Sequence, residues 1–444
     1  MAGFGFTNDP SDESDENREE SGNPFDFQEI FKQFSGLGLN LPGLLSSLSG
    51  QASPGSLSKD LIRDISKKFL SAHSDMPVTL ESQSAVYEAL QIADLWLNEA
   101  TIFAALPIPE SSALSRRDWI DATLAGWQEL AKPLVDGMGE AMGQMLKETL
   151  GETSDSDGVT ENPLKIPGAP FEFSQATLTS IMGTFMSSLL STQLGQTIGS
   201  LSTTVTGAND VALPLMEPIR AQLLPQNITI WGSGLDIDER ELRIYLALRE
   251  VAAARLFAGA PWLRQHIKES IAAYGKGIKI DINAITEQAE NVMNSGEIDP
   301  ANPDSITLAI SGGLFTPEET PAQMRALENL ETLLALIEGW IDAVVALAAK
   351  ERLPSLSKLS ETQQRRRATK SPTSQLFATL VGLEVSPRKT REAMQFWEKI
   401  VELRDQKTRD EIWDEAFLLP TSEQLTQPLE FLKSRTVPDD LSGL

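Results

Sequence analysis

Two carboxylates stand among apolar side chains, and they are the residues in this sequence best placed to do chemistry. Glu250 lies in Leu246-Ala-Leu-Arg-Glu-Val-Ala-Ala-Ala-Arg-Leu-Phe257, within a stretch that predicts a helix from Asp238 to Phe257. On such a helix it shares a face with Leu246, Ala253, Ala254 and Phe257. Glu338 sits beside the apolar seam of a second predicted helix and is followed by Gly339 and Trp340. A carboxylate on an apolar face needs a cation or hydrogen-bond donors, or it takes up a proton. Two such groups with separated pKa values could divide the acid and base work of a hydrolysis. The plainer reading is that Glu250 pairs with an arginine and fixes helix packing. Arg249 is adjacent but does not share the face of Glu250. Either Glu250 lies at a rim, or a distant residue pairs with it.

Composition narrows the chemistry. The 444 residues include no cysteine and only two histidines, His73 and His266. Disulfides, thiolate metal sites, cysteine nucleophiles and a His-rich metal centre are therefore excluded. The formal net charge of −26 argues against a general affinity for nucleic acid or anionic membranes. The start, Met-Ala-Gly-Phe-Gly-Phe-Thr-Asn-Asp, lacks the basic and apolar segments of a secretory signal, so a cytoplasmic location is expected.

The elements that would position the two carboxylates are helical. Residues 1–55 read as a disordered tail: an acidic run from Asp9 to Glu20, a cluster of Phe25, Phe27, Ile30, Phe31 and Phe34, then a Gly/Leu/Ser stretch. That tail is either a solvated segment or a tethered docking motif. A single α-rich domain is expected over residues 56–435, with a possible linker at 151–170 and a short tail at 436–444. Helices are predicted from about Ser58, from Ser82 to Ala100, and from Arg116, where Pro133 should interrupt the third. Residues between Phe173 and Asn209 carry no charge, but scattered Ser, Thr, Gln and Gly favour a buried helix over a membrane span. Gly195 and Gly199 would let another helix approach closely there. Ile228-Thr-Ile-Trp231 has the pattern of a short strand, as has Ile278 to Asn283, which would be followed by a helix to Asn294. Asp238 is a candidate N-cap with Glu241 as its capping-box partner. His266 falls on the next helix, after Pro261.

The longest predicted helix runs from Pro321 to Lys350, opened by Thr320 and Gln323 as a capping box with Pro321 at its first position. Leu327, Leu330, Leu334, Ile337, Ile341, Val344 and Ala348 form a seam about 30 Å long at about 1.5 Å per residue. Arg365-Arg-Arg367 is a basic cluster, either paired with nearby acids or available to an anion. Helices are predicted over Gln375 to Leu383 and Pro387 to Leu403, and the segment from Leu418 to Leu432 closes the fold.

Several stretches, taken in order, resemble the actinobacterial zincin-like metallopeptidases of type 2. They are Tyr245-Leu-Ala-Leu-Arg-Glu-Val-Ala-Ala-Ala-Arg-Leu-Phe257, Pro261-Trp-Leu-Arg264, Gly277-Ile-Lys-Ile-Asp281, Leu327-Glu-Asn-Leu-Glu-Thr-Leu-Leu-Ala-Leu-Ile-Glu-Gly-Trp340, Arg365-Arg-Arg-Ala368 and Leu380-Val-Gly-Leu-Glu384. The likeness covers most of residues 58 to 432 and implies a mainly α, zincin-like multi-helix domain with at most a few short strands. Zincins bind zinc through His-Glu-x-x-His on one helical face, with the Glu as base. Carried onto this chain, the resemblance puts Arg249 at the first ligand position, Glu250 at the catalytic carboxylate, Ala253 at the second ligand position and Glu338 at the third.

Only the two Glu remain of that set. Arg249 would place a positive charge where the cation should sit, and Glu338 would be the one ligand left. The expectation is a family member without zinc and without zinc-dependent peptidase activity, binding an unknown peptide or protein. Two alternatives stand beside it: an adaptor using the acidic N-terminal segment, and a metal-independent hydrolase using Glu250 and Glu338 with help from His266.

Overall fold

Apolar residues at helical spacing build a stack of helices, and the computed structural model describes residues 56–150, 164–165, 172–173, 175–277, 320–370 and 387–435. The first helices are α1 (Lys59–Ser71), α2 (Leu80–Leu97), α3 (Arg116–Leu150) and α4 (Gln175–Ser202). They are followed by α5 (Pro225–Gly232), α6 (Glu239–Gly259) and α7 (Trp262–Gly275). After these come α8 (Pro321–Ala349), α9 (Leu356–Lys370), α10 (Pro387–Leu403), α11 (Gln406–Glu411) and α12 (Pro428–Arg435). Among the described residues the only strand pairing is a two-residue antiparallel ladder, Leu164–Lys165 (β1) with Glu172–Phe173 (β2). The expected mainly α architecture is what the chain adopts. The expected disordered tail at 1–55, the elements predicted between 278 and 294 and the helix at 375–383 lie outside the described residues.

Helix α8 is the spine. Thr320 and Gln323 close its capping box, with Pro321 in the first turn. Its seam is buried at every position but Leu327, and α10, α7, α6 and α2 pack on it. It alone among the described helices is long and apolar enough to cross a membrane, yet its apolar window is 83% buried in the protein. Trp340 of α8 lies in the same core as Trp397, Trp413, Trp119 and Trp127, all essentially fully buried. One contiguous apolar cluster reaches from Ile62 to Leu432.

Close packing settles several local questions. Helix α1 lies against α4 at the predicted small residues: a Cβ on Gly195 would lie 2.9 Å from the Ile65 Cβ and 3.0 Å from the Ile62 carbonyl oxygen, so a larger residue would have to push the two helices apart. Pro133 does not interrupt α3, which at 35 residues outruns the 29 of α8. Proline costs the helix a hydrogen bond, but α3 is held there between α4 and α7, and its backbone at Pro133 is pressed against Gly275. The predicted strand Ile228–Trp231 is instead part of α5. Pro225 presets its first turn, and Ile228 and Trp231 are buried three residues apart, a helical and not a strand spacing.

Candidate functional site

Helix α6 is buried from Tyr245 to Phe257 with no exposed break, so everything on it must find its partners inside the protein. Asp238 caps its start, accepting from the Arg240 and Glu241 amides. The Glu241 carboxylate does not complete the predicted capping box; it accepts from the Ser355 amide and ties α6 to the start of α9.

Glu250 is 3% exposed and makes no ion pair among the described residues. Its carboxylate accepts from four N–H groups: the amides of Ala208 (3.1 Å), Asn209 (3.0 Å) and Gln222 (3.0 Å), and the Asn209 side-chain amide (2.7 Å). These donors belong to the chain between α4 and α5, which has little regular structure and is nevertheless buried at nearly every position from Val205 to Met216. Buried loops are rare because their backbone groups lose water. Glu250 supplies the acceptor that this loop lacks. Gly207 makes the approach possible, because a Cβ there would overlap the Glu250 Oε2. Burial pushes the Glu250 carboxyl up to about 8, against the pull of the Gln222 and Asn209 donors. The expected arginine partner of Glu250 is thus replaced by a cage of amide dipoles.

One residue away, Arg249 does the opposite. It leaves the Glu250 face and reaches α8, donating to Glu338 (3.1 Å) and to Asp342. Arg367 of α9 donates to the same two acids. The result is a quartet of two guanidiniums and two carboxylates, each side chain between 7% and 11% exposed. Its formal charge sums to zero, and the planar guanidinium fork suits a carboxylate pair. Burial alone would raise the Asp342 carboxyl, but Arg367 and Arg249 outweigh it and hold the group below the ordinary carboxylate range. Burial likewise disfavours the charge on both arginines, and the facing acids more than compensate. Tyr245, buried beside them, has its phenol pushed up, first by burial.

Between the cage and the quartet lies a cavity of about 10 Å³, room for about one water. Arg249, Glu250, Ala253 and Glu338 all line it, with Thr206, Asn209 and Asp210 of the buried loop. The four positions singled out in the sequence therefore do converge. His266 does not: it lies on α7 against Trp262 and is not among the residues lining the cavity. His73 stacks on Phe69 at the end of α1, away from any of these groups.

Asp342 and the buried loop escaped the sequence reading. Asp342 had a signal, since it lies four residues after Glu338 and so on the same helical face. The amide donors had none, because backbone N–H groups are the same in every sequence.

The arrangement does not fit a catalytic zinc. Such a site needs three protein ligands and an open position. Ala253 has no donor atom, Arg249 is a cation, and Glu338 is held by two guanidiniums. No group of three His, Cys, Asp or Glu able to hold a metal ion occurs among the described residues.

No curated protein matches the sequence. A crystal structure from Chloroflexus aurantiacus, described as a candidate hydrolase with a novel fold, is similar to this chain with a TM-score of 0.55 and 16% identity. The likeness covers 86% of this chain and all of that one, and at this identity it speaks for the fold. Residues 58–432 match the zincin-like metallopeptidases, nearly the whole helical body, and the chain belongs to that family.

Proposed function

We propose that this chain is a zincin-fold protein that has given up zinc-dependent peptide hydrolysis and acts by binding a peptide or protein. The observation that carries the reading is the Arg249–Glu338–Arg367–Asp342 quartet. Two guanidiniums hold the acid that would have been a metal ligand, so a divalent cation would have to displace them and meet their repulsion. A zincin base must also activate a metal-bound water. The Glu250 oxygens are instead committed to backbone donors, in a cavity with no space for a peptide bond.

The metal-independent alternative has less support for the same reasons. Glu250 and Glu338 share a cavity, but neither carboxylate is open to a substrate. His266, expected to assist, is elsewhere.

The test uses the full chain purified without chelator. Metal analysis should find no one-to-one zinc, and wild type and Glu250→Gln should give the same background on a peptide and ester panel. Stoichiometric zinc lost in Glu338→Ala, or hydrolysis lost in Glu250→Gln, would overturn the reading.

A further inference from the structure

The basic run read in the sequence is used up inside the fold. Arg367 belongs to the quartet, Arg365 pairs with Glu361, and Arg366 lies over the Trp231 ring, 4.4 Å from its centre. The apolar cluster of Phe25, Phe27, Ile30, Phe31 and Phe34 has no such role, and it lies outside the described residues. Its last four members recur at intervals of three and four residues, which puts them on one face of a helix.

The helical body offers a surface that suits such a face. A groove of about 390 Å³ runs between the α1–α2 connection, the start of α2, α5 and the start of α6. Met76, Val78, Ala85, Leu114, Pro225 and Ile228 supply its apolar lining. Met76, Leu80 and Ile230, at or beside the groove, are each more than half exposed. Most polar groups of the lining are already engaged. Thr79 and Ser82 close the α2 capping box, Gln226 is bonded to the Met76 amide and the Ser74 carbonyl oxygen, and Glu239 pairs with Arg243. What the groove has left to offer is apolar surface, as in grooves that receive an amphipathic helix.

The tether favours an occupant from the same chain. Ser58 caps the start of α1, where the N-terminal segment joins the body. Helix α1 has 13 residues, about 20 Å at about 1.5 Å each, and Ala72 to Asp75 lead from its end to Met76 at the groove. Residues 35–57, rich in Gly, Ser and Leu, have a root-mean-square reach of about 25 Å as a flexible chain. The linker thus matches the span, the condition under which a tether gives its highest effective concentration, in the millimolar range. A partner in trans would have to exceed that concentration to compete.

We propose that the segment Phe25–Phe34 docks as an amphipathic helix in the groove between α2 and α5 of its own chain, with Phe27, Ile30, Phe31 and Phe34 against Met76, Ile228 and Ile230. A peptide from another protein reaches the groove only by displacing it. The docking stands apart from the loss of zinc chemistry, because the groove shares no lining residue with the Glu250 cavity.

The test exploits the absence of cysteine. Spin labels are placed on the full chain at Gln28→Cys and Ser84→Cys, the second an exposed position on α2 outside the lining, and the distance between them is read by double electron–electron resonance. One narrow distance population is expected. It should fall to background when Phe27→Ser and Phe31→Ser are added, and equally with Ile230→Asp, an exposed position whose melting curve should match wild type. A broad distribution in the otherwise unsubstituted chain, or a narrow one that survives these substitutions, would overturn the proposal. So would the same narrow distance in a mixture of singly labelled chains, which would put the segment of a second copy in the groove.

Discussion

Glu250 and Glu338 are buried glutamates bordering the same small cavity, and they are neutralised in opposite ways. Around Glu250 the compensation comes from four N–H dipoles, three of them backbone. Around Glu338 it comes from two full positive charges shared with Asp342. Dipoles stabilise a carboxylate without fixing its protonation state, and burial leaves Glu250 raised to about 8. Guanidiniums bring full charges instead of dipoles, and Asp342 beside them is driven down, not up. The cage ties a loop to α6; the quartet ties α6, α8 and α9 to one another. A carboxylate on an apolar helix face can thus be accommodated by two different physical routes.

The contrast can be broken most forcefully at the quartet. Arg249→Met removes one cation and leaves two buried acids to share the other. It should destabilise the protein by about 3–5 kcal/mol, as when one partner of a buried ion pair is lost, measured by urea unfolding. A drop below 1 kcal/mol would mean that the quartet is solvated.

Glu250→Ala comes next. It strands the amides of Asn209 and Gln222, while the Ala208 amide keeps the Gln222 carbonyl oxygen, and a cost of about 2–3 kcal/mol is expected if a water enters to recover part of the bonding. Hydrogen exchange at the Asn209 and Gln222 amides should quicken more than exchange on α6. Uniform quickening would argue that Glu250 is an ordinary core residue and not a loop anchor.

The third effect is a pH dependence. A carboxyl raised from 4.5 to about 8 in the folded chain favours the fold in its protonated form. Its contribution is fully present below pH 4.5 and is lost as pH rises through 8. Glu250→Gln should therefore flatten a decline in stability across pH 4.5–8, while Arg249→Met should leave that decline in place. An unchanged slope in Glu250→Gln would show that the four donors hold the carboxylate ionised throughout. The smallest effect belongs to the surface: Glu88→Ala, which removes an exposed pair with Arg240, should cost at most about 1 kcal/mol.

Much of this was legible in the sequence because it rests on periodicity. The seam of α8, the Thr320–Gln323 box, the Asp238 cap and the small face of α4 all follow from side-chain spacing and recur in the structure. The resemblance to one family marked Arg249, Glu250, Ala253 and Glu338 as site positions but left open whether Glu250 and Glu338 meet, and it is the fold that brings all four to one cavity. What was not legible depends on tertiary contact. Pro133 stays helical because of what presses on α3, and Ile228 to Trp231 coil into α5 because a proline opens them and a core receives them. The partner of Glu250 was sought among arginines, yet it is the main chain of a loop whose sequence carries no mark of that task. The Arg365–Arg367 run could be counted but not resolved, since its three side chains leave α9 for three different surroundings.

The central claim is that arginines occupy the place of a metal. The most direct test is a crystal structure of the full chain soaked in zinc, with anomalous data collected at the zinc edge. The account predicts no anomalous peak among Glu250, Ala253 and Glu338, with Arg249 and Arg367 still forked onto Glu338 and Asp342. A peak within coordinating distance of Glu338, with Arg249 swung out of the site, would contradict it.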